Sequence, residues 1–174
     1  GRWSKQYLED TDAGRDPNMD RLIEWLTANV PEGDETSLTH GDFRIDNMIF
    51  HPTEPRVLAV LDWELSTLGH PLADFAYNAM AYHMPPHIVA GLAGADIEAL
   101  GIPAEPDYIA AYCRRTGRDG IADYGFYRTF VFFRLAAIFH GIKGRTIRGT
   151  ASSAQAHQRA AFFPELAELA WAQT

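Results

Sequence analysis

The sequence predicts a mostly helical α+β domain, and three observations carry that prediction. Apolar residues make up 47% and aromatics 12% of the 174 residues, a composition able to fill one core. Apolar positions three and four apart, punctuated by Pro and Gly, run through most of the chain. Short apolar runs bounded by turn residues are confined to one stretch, residues 47–62.

The elements follow in order. Residues 1–37 form a helical lead-in: "RWSKQYLED", then "GRDPNMDRLIEWLTANV" with Asp16 as N-cap, Pro17 at the first helical position and Leu22, Ile23 and Leu26 on one apolar face. "PEGDETS" is a loop. Residues 38–75 hold a polar loop, a hairpin of "NMIF" (47–50) and "VLAVLD" (57–62) around "HPTEPR", and a second loop, "STLGHP". Pro71 opens a helix, "PLADFAYNAMAYH", which Pro85 and Pro86 stop. Residues 76–174 read as a helical subdomain: "GADIEALG" ends at Gly101, "EPDYIAAYCRRTG" at Gly117, a long helix spans 123–143, and "QAHQRAAFFPELAELAWAQ" carries a kink at Pro164. With no repeat or linker, 1–174 is expected to be a single domain.

Charge and cysteine usage narrow the function. The net charge of −8 argues against nucleic acid or an anionic membrane as partner, although eight of the fifteen Lys and Arg residues fall between Arg114 and Arg148. That cluster (Arg114, Arg115, Arg118, Lys143, Arg145, Arg148) is either a solvated surface or a site for an anionic acceptor. The single cysteine, Cys113, reads as a small core residue and excludes an internal disulfide. Nothing in the opening stretch resembles a signal sequence, so the expected location is cytoplasmic. Arg134, inside the most apolar helix, calls for a structural partner. His51, His87, His140 and His157 are scattered and read as incidental.

The polar stretch "LTHGDFRIDN" (38–47) stands directly before the hairpin. Folding that hairpin about Thr53 and Glu54 pairs residues whose numbers sum to about 107–109. Asn47 then lies opposite residues 60–62, at the same end as Asp62, with Asp42 in the adjoining loop. An amide oxygen and a carboxylate suit a hard cation such as Mg²⁺, whose remaining positions phosphate and water fill. Asp42 is left to accept a proton from a hydroxyl nucleophile. Metal plus base describes phosphoryl transfer to an alcohol.

"HGDFRIDN", followed fifteen residues after its Asn by the Asp of "LDWE", resembles the paired motifs of aminoglycoside phosphotransferase-like and choline-kinase-like enzymes. Those motifs correspond to the catalytic-loop and Asp-Phe-Gly motifs of protein kinases. The wording through "LAVLDWELSTLGHPLADFAY" resembles most the kinase-like domains fused to, or encoded near, acyl-CoA dehydrogenases. The resemblance implies the C-terminal lobe of a protein-kinase-like phosphotransferase, its small β-hairpin carrying the metal ligands. It implies Asp42 as catalytic base, Asn47 and Asp62 as Mg²⁺ ligands holding the ATP phosphates, His40 as a brace of the catalytic loop and Asp74 as a carboxylate bonding that loop's backbone. Arg44 occupies the place where many protein kinases carry a phosphate-contacting lysine. Glu64, Tyr77, Tyr82 and His83 are candidate substrate neighbours, with solvated-loop or core roles as the alternatives. His70 departs from the acidic residue common in the wider family.

The family binds ATP between two lobes, and the other lobe brings a phosphate-gripping lysine. This chain has two lysines, Lys5 and Lys143, neither in a strand pattern. It therefore resembles a C-terminal lobe with the N-terminal lobe absent, expected not to turn over alone. The expected substrate is a small-molecule hydroxyl, in the nearest resemblance a hydroxy-acyl-CoA or hydroxy acid. Two other classes stay open: a non-catalytic pseudokinase-type binding lobe, and a metal-dependent phosphohydrolase using His40, Asp42, Asp62 and His70.

Overall fold

The computed structural model describes residues 1–33, 35–89 and 91–174. In chain order the first elements are α1 (Arg2–Glu9), α2 (Pro17–Ala28), β1 (Ser37–Thr39), β2 (Met48–Phe50), β3 (Val57–Val60) and β4 (Thr67–Gly69). The helices α3 (Leu72–Ala79), α4 (Glu105–Thr116), α5 (Tyr124–Ile147), α6 (Ala156–Ala161) and α7 (Phe163–Trp171) follow. The chain divides into two compact units, residues 1–31 with 125–174, and residues 32–124.

The first unit is helical. The Asp16 side chain accepts the Asn18 and Met19 N–H groups and starts α2, with Pro17 at the first position. Met19 and Leu22 of α2, Val131 and Phe132 of α5, and Phe163 and Leu166 of α7 are fully buried. Helix α5 is buried along most of its length, which is why its sequence shows little amphipathic contrast. Among its buried groups, Arg134 lies with its guanidinium carbon 5.3 Å from the Trp3 ring centroid. The final helix breaks in two, and Pro164 stands at the start of α7.

The second unit contains both small sheets. Strands β2 and β3 form the expected antiparallel hairpin, with Met48 opposite Val60 and Ile49 opposite Ala59. Strands β1 and β4 pair antiparallel, with Leu38 opposite Leu68. Both lie in stretches whose sequence predicts loop, because three residues are too few to show alternation. "GADIEALG" is also corrected. It forms a turn rather than a helix, with Asp96 Oδ1 accepting from Ala99 N–H at 3.1 Å and Gly101 at φ +68°. Helix α3 packs through Phe75, which stacks on Tyr108 and Tyr112 of α4 at 5.3 and 4.1 Å. Helix α4 ends at Gly117, whose φ of +70° is a left-handed cap. Cys113 is buried and free. No helix among the described residues is long and apolar enough to cross a membrane.

Candidate active site

The loop between β1 and β2 is built on hydrogen bonds that its own sequence supplies. His40 is buried, its Nε2 2.7 Å from the Leu61 carbonyl. Its Nδ1 accepts the Asp42 backbone N–H at 3.2 Å. A carbonyl partner requires the proton on Nε2 and leaves Nδ1 as acceptor, so one tautomer satisfies both contacts. Asp74, in the first turn of α3, accepts the His40 N–H at 2.5 Å and the Gly41 N–H at 2.9 Å. One carboxylate from a helix thus fixes two consecutive peptides of the loop just before Asp42.

Asp42 and Asn47 are half-buried, and Asn47 Nδ2 donates to the Asp42 carbonyl at 2.9 Å and to Asp42 Oδ2 at 3.0 Å. Both contacts use the amide nitrogen, which leaves Asn47 Oδ1 as an acceptor. The Leu61 N–H donates to the Asn47 carbonyl at 2.8 Å, so Asp62 lies one residue beyond the position paired with Asn47. Asp62 adopts φ +66°, ψ +51°, the left-handed region, alone in this among the described non-glycine residues. Such a conformation is strained for an L-residue and recurs at functional sites. Its exposed carboxylate receives no hydrogen bond from the described residues. An unpaired carboxylate and a spare amide oxygen at one end of a hairpin fit a hard divalent cation that takes few protein ligands.

The remaining candidates divide. Arg44 is ion-paired with Asp46; burial pulls its pKa down, but Asp46, with Tyr77 and Asp42 nearby, outweighs this and raises it. Tyr77 is buried in α3. Glu64 is exposed on the 3₁₀ turn after Asp62. Tyr82 and His83 bond to the start of α4. The Tyr82 hydroxyl donates to the Pro103 carbonyl at 2.8 Å, and His83 Nε2 lies 2.8 and 2.9 Å from the Glu105 oxygens. Tyr124 completes that cluster by donating to Glu105 Oε1 at 2.6 Å. His70 lies 3.8 Å from Glu35, which also pairs with Arg118.

Two residues escaped the sequence reading. The Trp63 ring lies 4.7 Å from the His40 ring, and its Nε1–H donates to the Val60 carbonyl at 2.9 Å. Gly41 has φ +82°, and a Cβ there would stand 2.5 Å from the Leu65 carbonyl oxygen. Trp63 inside "LDWE" and Gly41 inside "HGD" were visible as letters, but their partners lie across the fold.

Known proteins resemble this chain in sequence and in fold. A model of the phosphotransferase enzyme family matches residues 2–130. Acyl-CoA dehydrogenase family member 10 of Mus musculus is 47% identical over 171 residues, which cover 97% of this chain and 16% of that protein. Acyl-CoA dehydrogenase family member 11 of Homo sapiens is 42% identical over 169 residues, 95% of this chain and 21% of that protein. A crystal structure from Ralstonia eutropha, described as a candidate aminoglycoside phosphotransferase, superposes with a TM-score of 0.93 at 50% identity, covering 99% of this chain and 53% of that one. The chain therefore spans roughly a fifth of these curated relatives and about half of the solved structure.

Proposed function

The chain belongs to the phosphotransferase enzyme family, and on that premise we propose that the complete protein transfers the γ-phosphoryl group of ATP to a hydroxyl of a small molecule. The observation that carries this reading is the loop pinned by Asp74, which holds Asp42 against Asn47 at the hairpin end that also bears Asp62. Asp42 orients the acceptor hydroxyl and takes its proton as the bond to phosphorus forms. Asn47 Oδ1 and the Asp62 carboxylate would hold Mg²⁺, which when bound would supply positive charge against the nucleotide phosphates. Arg44 is the candidate for contact with the transferred group. His40 and Trp63 brace the hairpin end, so that Asp62 keeps its left-handed backbone.

The acceptor is a hydroxy-acyl-CoA or hydroxy acid, a choice supported by relatives named as acyl-CoA dehydrogenase family members. The rest of the complete protein supplies a second lobe that grips the nucleotide. Exposed apolar side chains on the ribbon, Ile49, Phe50, Val57 and Leu58, each 44–49% exposed, support a further lobe covering it. The 174-residue chain alone is inactive on this reading. The free cysteine suits a reducing cytoplasm. The phosphohydrolase alternative is less well supported, since both ring nitrogens of His40 are already engaged and His70 is turned to Glu35.

The test is ADP formation by the complete protein with Mg²⁺, against a panel of hydroxy-acyl-CoA, hydroxy acids, choline and an aminoglycoside. One acceptor class should stimulate turnover. Asp42→Asn should lower kcat by about 10²–10⁴-fold with the thermal midpoint unchanged. Undiminished turnover in Asp42→Asn would remove the assignment of the base, and phosphate release without any acceptor would favour a hydrolase.

A further inference from the structure

The basic residues between Arg114 and Arg148 belong to both units, and within the first unit Arg145 and Arg148 line one cavity with two cations from the start of the chain, Arg2 and Lys5. In the first unit, α1, the segment Asp10–Asp12 after it and the end of α5 border a wide-open cavity of about 630 Å³. Arg2, Lys5 and Glu9 line it from α1, spaced three and four residues apart on one helix face. Gly141 and Arg145 line it from α5, and Arg148 from the turn just after that helix. Gln6 Nε2 lies 2.7 Å and Arg145 Nη1 3.5 Å from where a Gly141 Cβ would stand, so both side chains fold against the helix where glycine leaves room.

These cations are not equivalent. Arg148 is consumed: it donates to Asp10 Oδ1 at 2.6 Å, Asp10 Oδ2 at 3.0 Å and Asp12 Oδ2 at 2.9 Å. Lys5 faces Glu9 at 3.7 Å, both well exposed, which makes a weak pair. Arg2 lies over the Trp3 ring at 5.2 Å with no carboxylate partner among the described residues. Arg145 has no side-chain partner among the described residues. Two guanidinium groups thus make no ion pair among the described residues, in a cavity lined by four cations (Arg2, Lys5, Arg145, Arg148) and three carboxylates (Glu9, Asp10, Asp12). A guanidinium presents a planar fork of donors that matches phosphate.

The geometry points to a phosphoanion-binding site in this cavity, held by Arg145 and Arg2 with Lys5 beside them, and built from none of the residues of the candidate active site. Isothermal titration of the complete protein in EDTA tests it, with inorganic pyrophosphate and ADP as probes, so that metal-dependent phosphate binding is suppressed. Saturable binding is expected, weakened about tenfold or more by Arg145→Ala with an unchanged thermal midpoint. Arg145→Lys, which keeps the charge and loses the fork, should fall between. Saturation by both probes assigns the site to terminal phosphates of any source; saturation by ADP alone, with the same sensitivity to Arg145→Ala, assigns it to a nucleotide's phosphates. No saturable binding of either probe, or affinities unmoved by both Arg145→Ala and Arg2→Ala, would overturn the proposal.

Discussion

At Asp74 a single side chain decides the shape of the loop. Its two oxygens receive consecutive backbone N–H groups, from His40 and Gly41. Asp74→Asn turns one oxygen into a donor and leaves one of those N–H groups unpaired. The expected cost is about 1–3 kcal/mol, read as a lower chemical-denaturation midpoint, together with a fall in kcat. Asp42→Asn should lower kcat without that stability loss, so the pair separates holding the loop from using it. Gly41 offers a second residue-level test. Gly41 and Gly94 share a positive φ, +82° and +80°, but only at Gly41 would a Cβ meet backbone, the Leu65 carbonyl. Gly94→Ala should cost about 1–2 kcal/mol for the left-handed conformation. Gly41→Ala should cost clearly more, and equal losses would show that Leu65 yields. Asp42, Asn47 and Asp62 could be picked out from the sequence, because polar groups beside an apolar run demand a reason. Trp63 could not be, since what matters is its distance to His40, and spacing does not encode it.

Among the elements, α5 shows how one helix can hold glycines of opposite effect. Gly125 faces open space, so Gly125→Ala removes only the entropic penalty of glycine and should stabilise by up to about 1 kcal/mol. At Gly144 a Cβ would fall inside the Asp10 carboxyl group, which Arg148 holds in place. Gly144→Ala should therefore lower the thermal midpoint despite its better helix propensity, because overpacking costs about 1–3 kcal/mol. Two rises, or two falls, in a paired melting experiment would refute this account of how α1 docks on α5. The helices themselves were legible because their caps and stops are local: Asp16 and Pro17 start α2, and Gly117 ends α4. The β1–β4 pair was not legible, because its apolar residues Leu38 and Leu68 are opposite each other yet 63% and 73% exposed while the buried position is the polar Thr39, so no apolar-in, polar-out alternation marks the strands. "GADIEALG" failed for the converse reason. Its residues permit a helix, but isolated short helices are marginal and this one buries too little to persist beyond a turn.

Over the whole molecule, acid sensitivity gathers several of these local features into one measurable curve. The most apolar helix of the sequence contains His140, whose placement no periodicity could reveal. It is fully buried, 4.6 Å from the Tyr7 ring and 5.0 Å from the Phe163 ring. Its Nε2 lies 2.8 Å from the Gly14 carbonyl, and its Nδ1 has no partner among the described residues. Burial pushes the imidazole pKa down, Lys143 pushes the same way, and the Gly14 carbonyl and nearby Asp10 and Asp16 only partly oppose them. The unfolded chain therefore binds the proton first, at about pH 6.5. Stability from this group is complete above that pH and is lost as pH falls from there toward the lowered folded value. One proton limits the slope to about 1.4 kcal/mol per pH unit. The Arg148 pair holds the Asp10 carboxyl below the usual range, so its contribution is present above the ordinary carboxylate pKa and is lost only at lower pH, as pH falls through the folded value. Thermal midpoints measured between pH 7.5 and 3 should thus fall in two stages, the first from His140 and the second from the carboxylates. His140→Gln keeps a donor for the Gly14 carbonyl and cannot become charged, so it should flatten the first stage and leave the second. A first stage of the same depth in His140→Gln would assign the acid sensitivity to another group and break the link drawn between that buried ring and the stability of the fold.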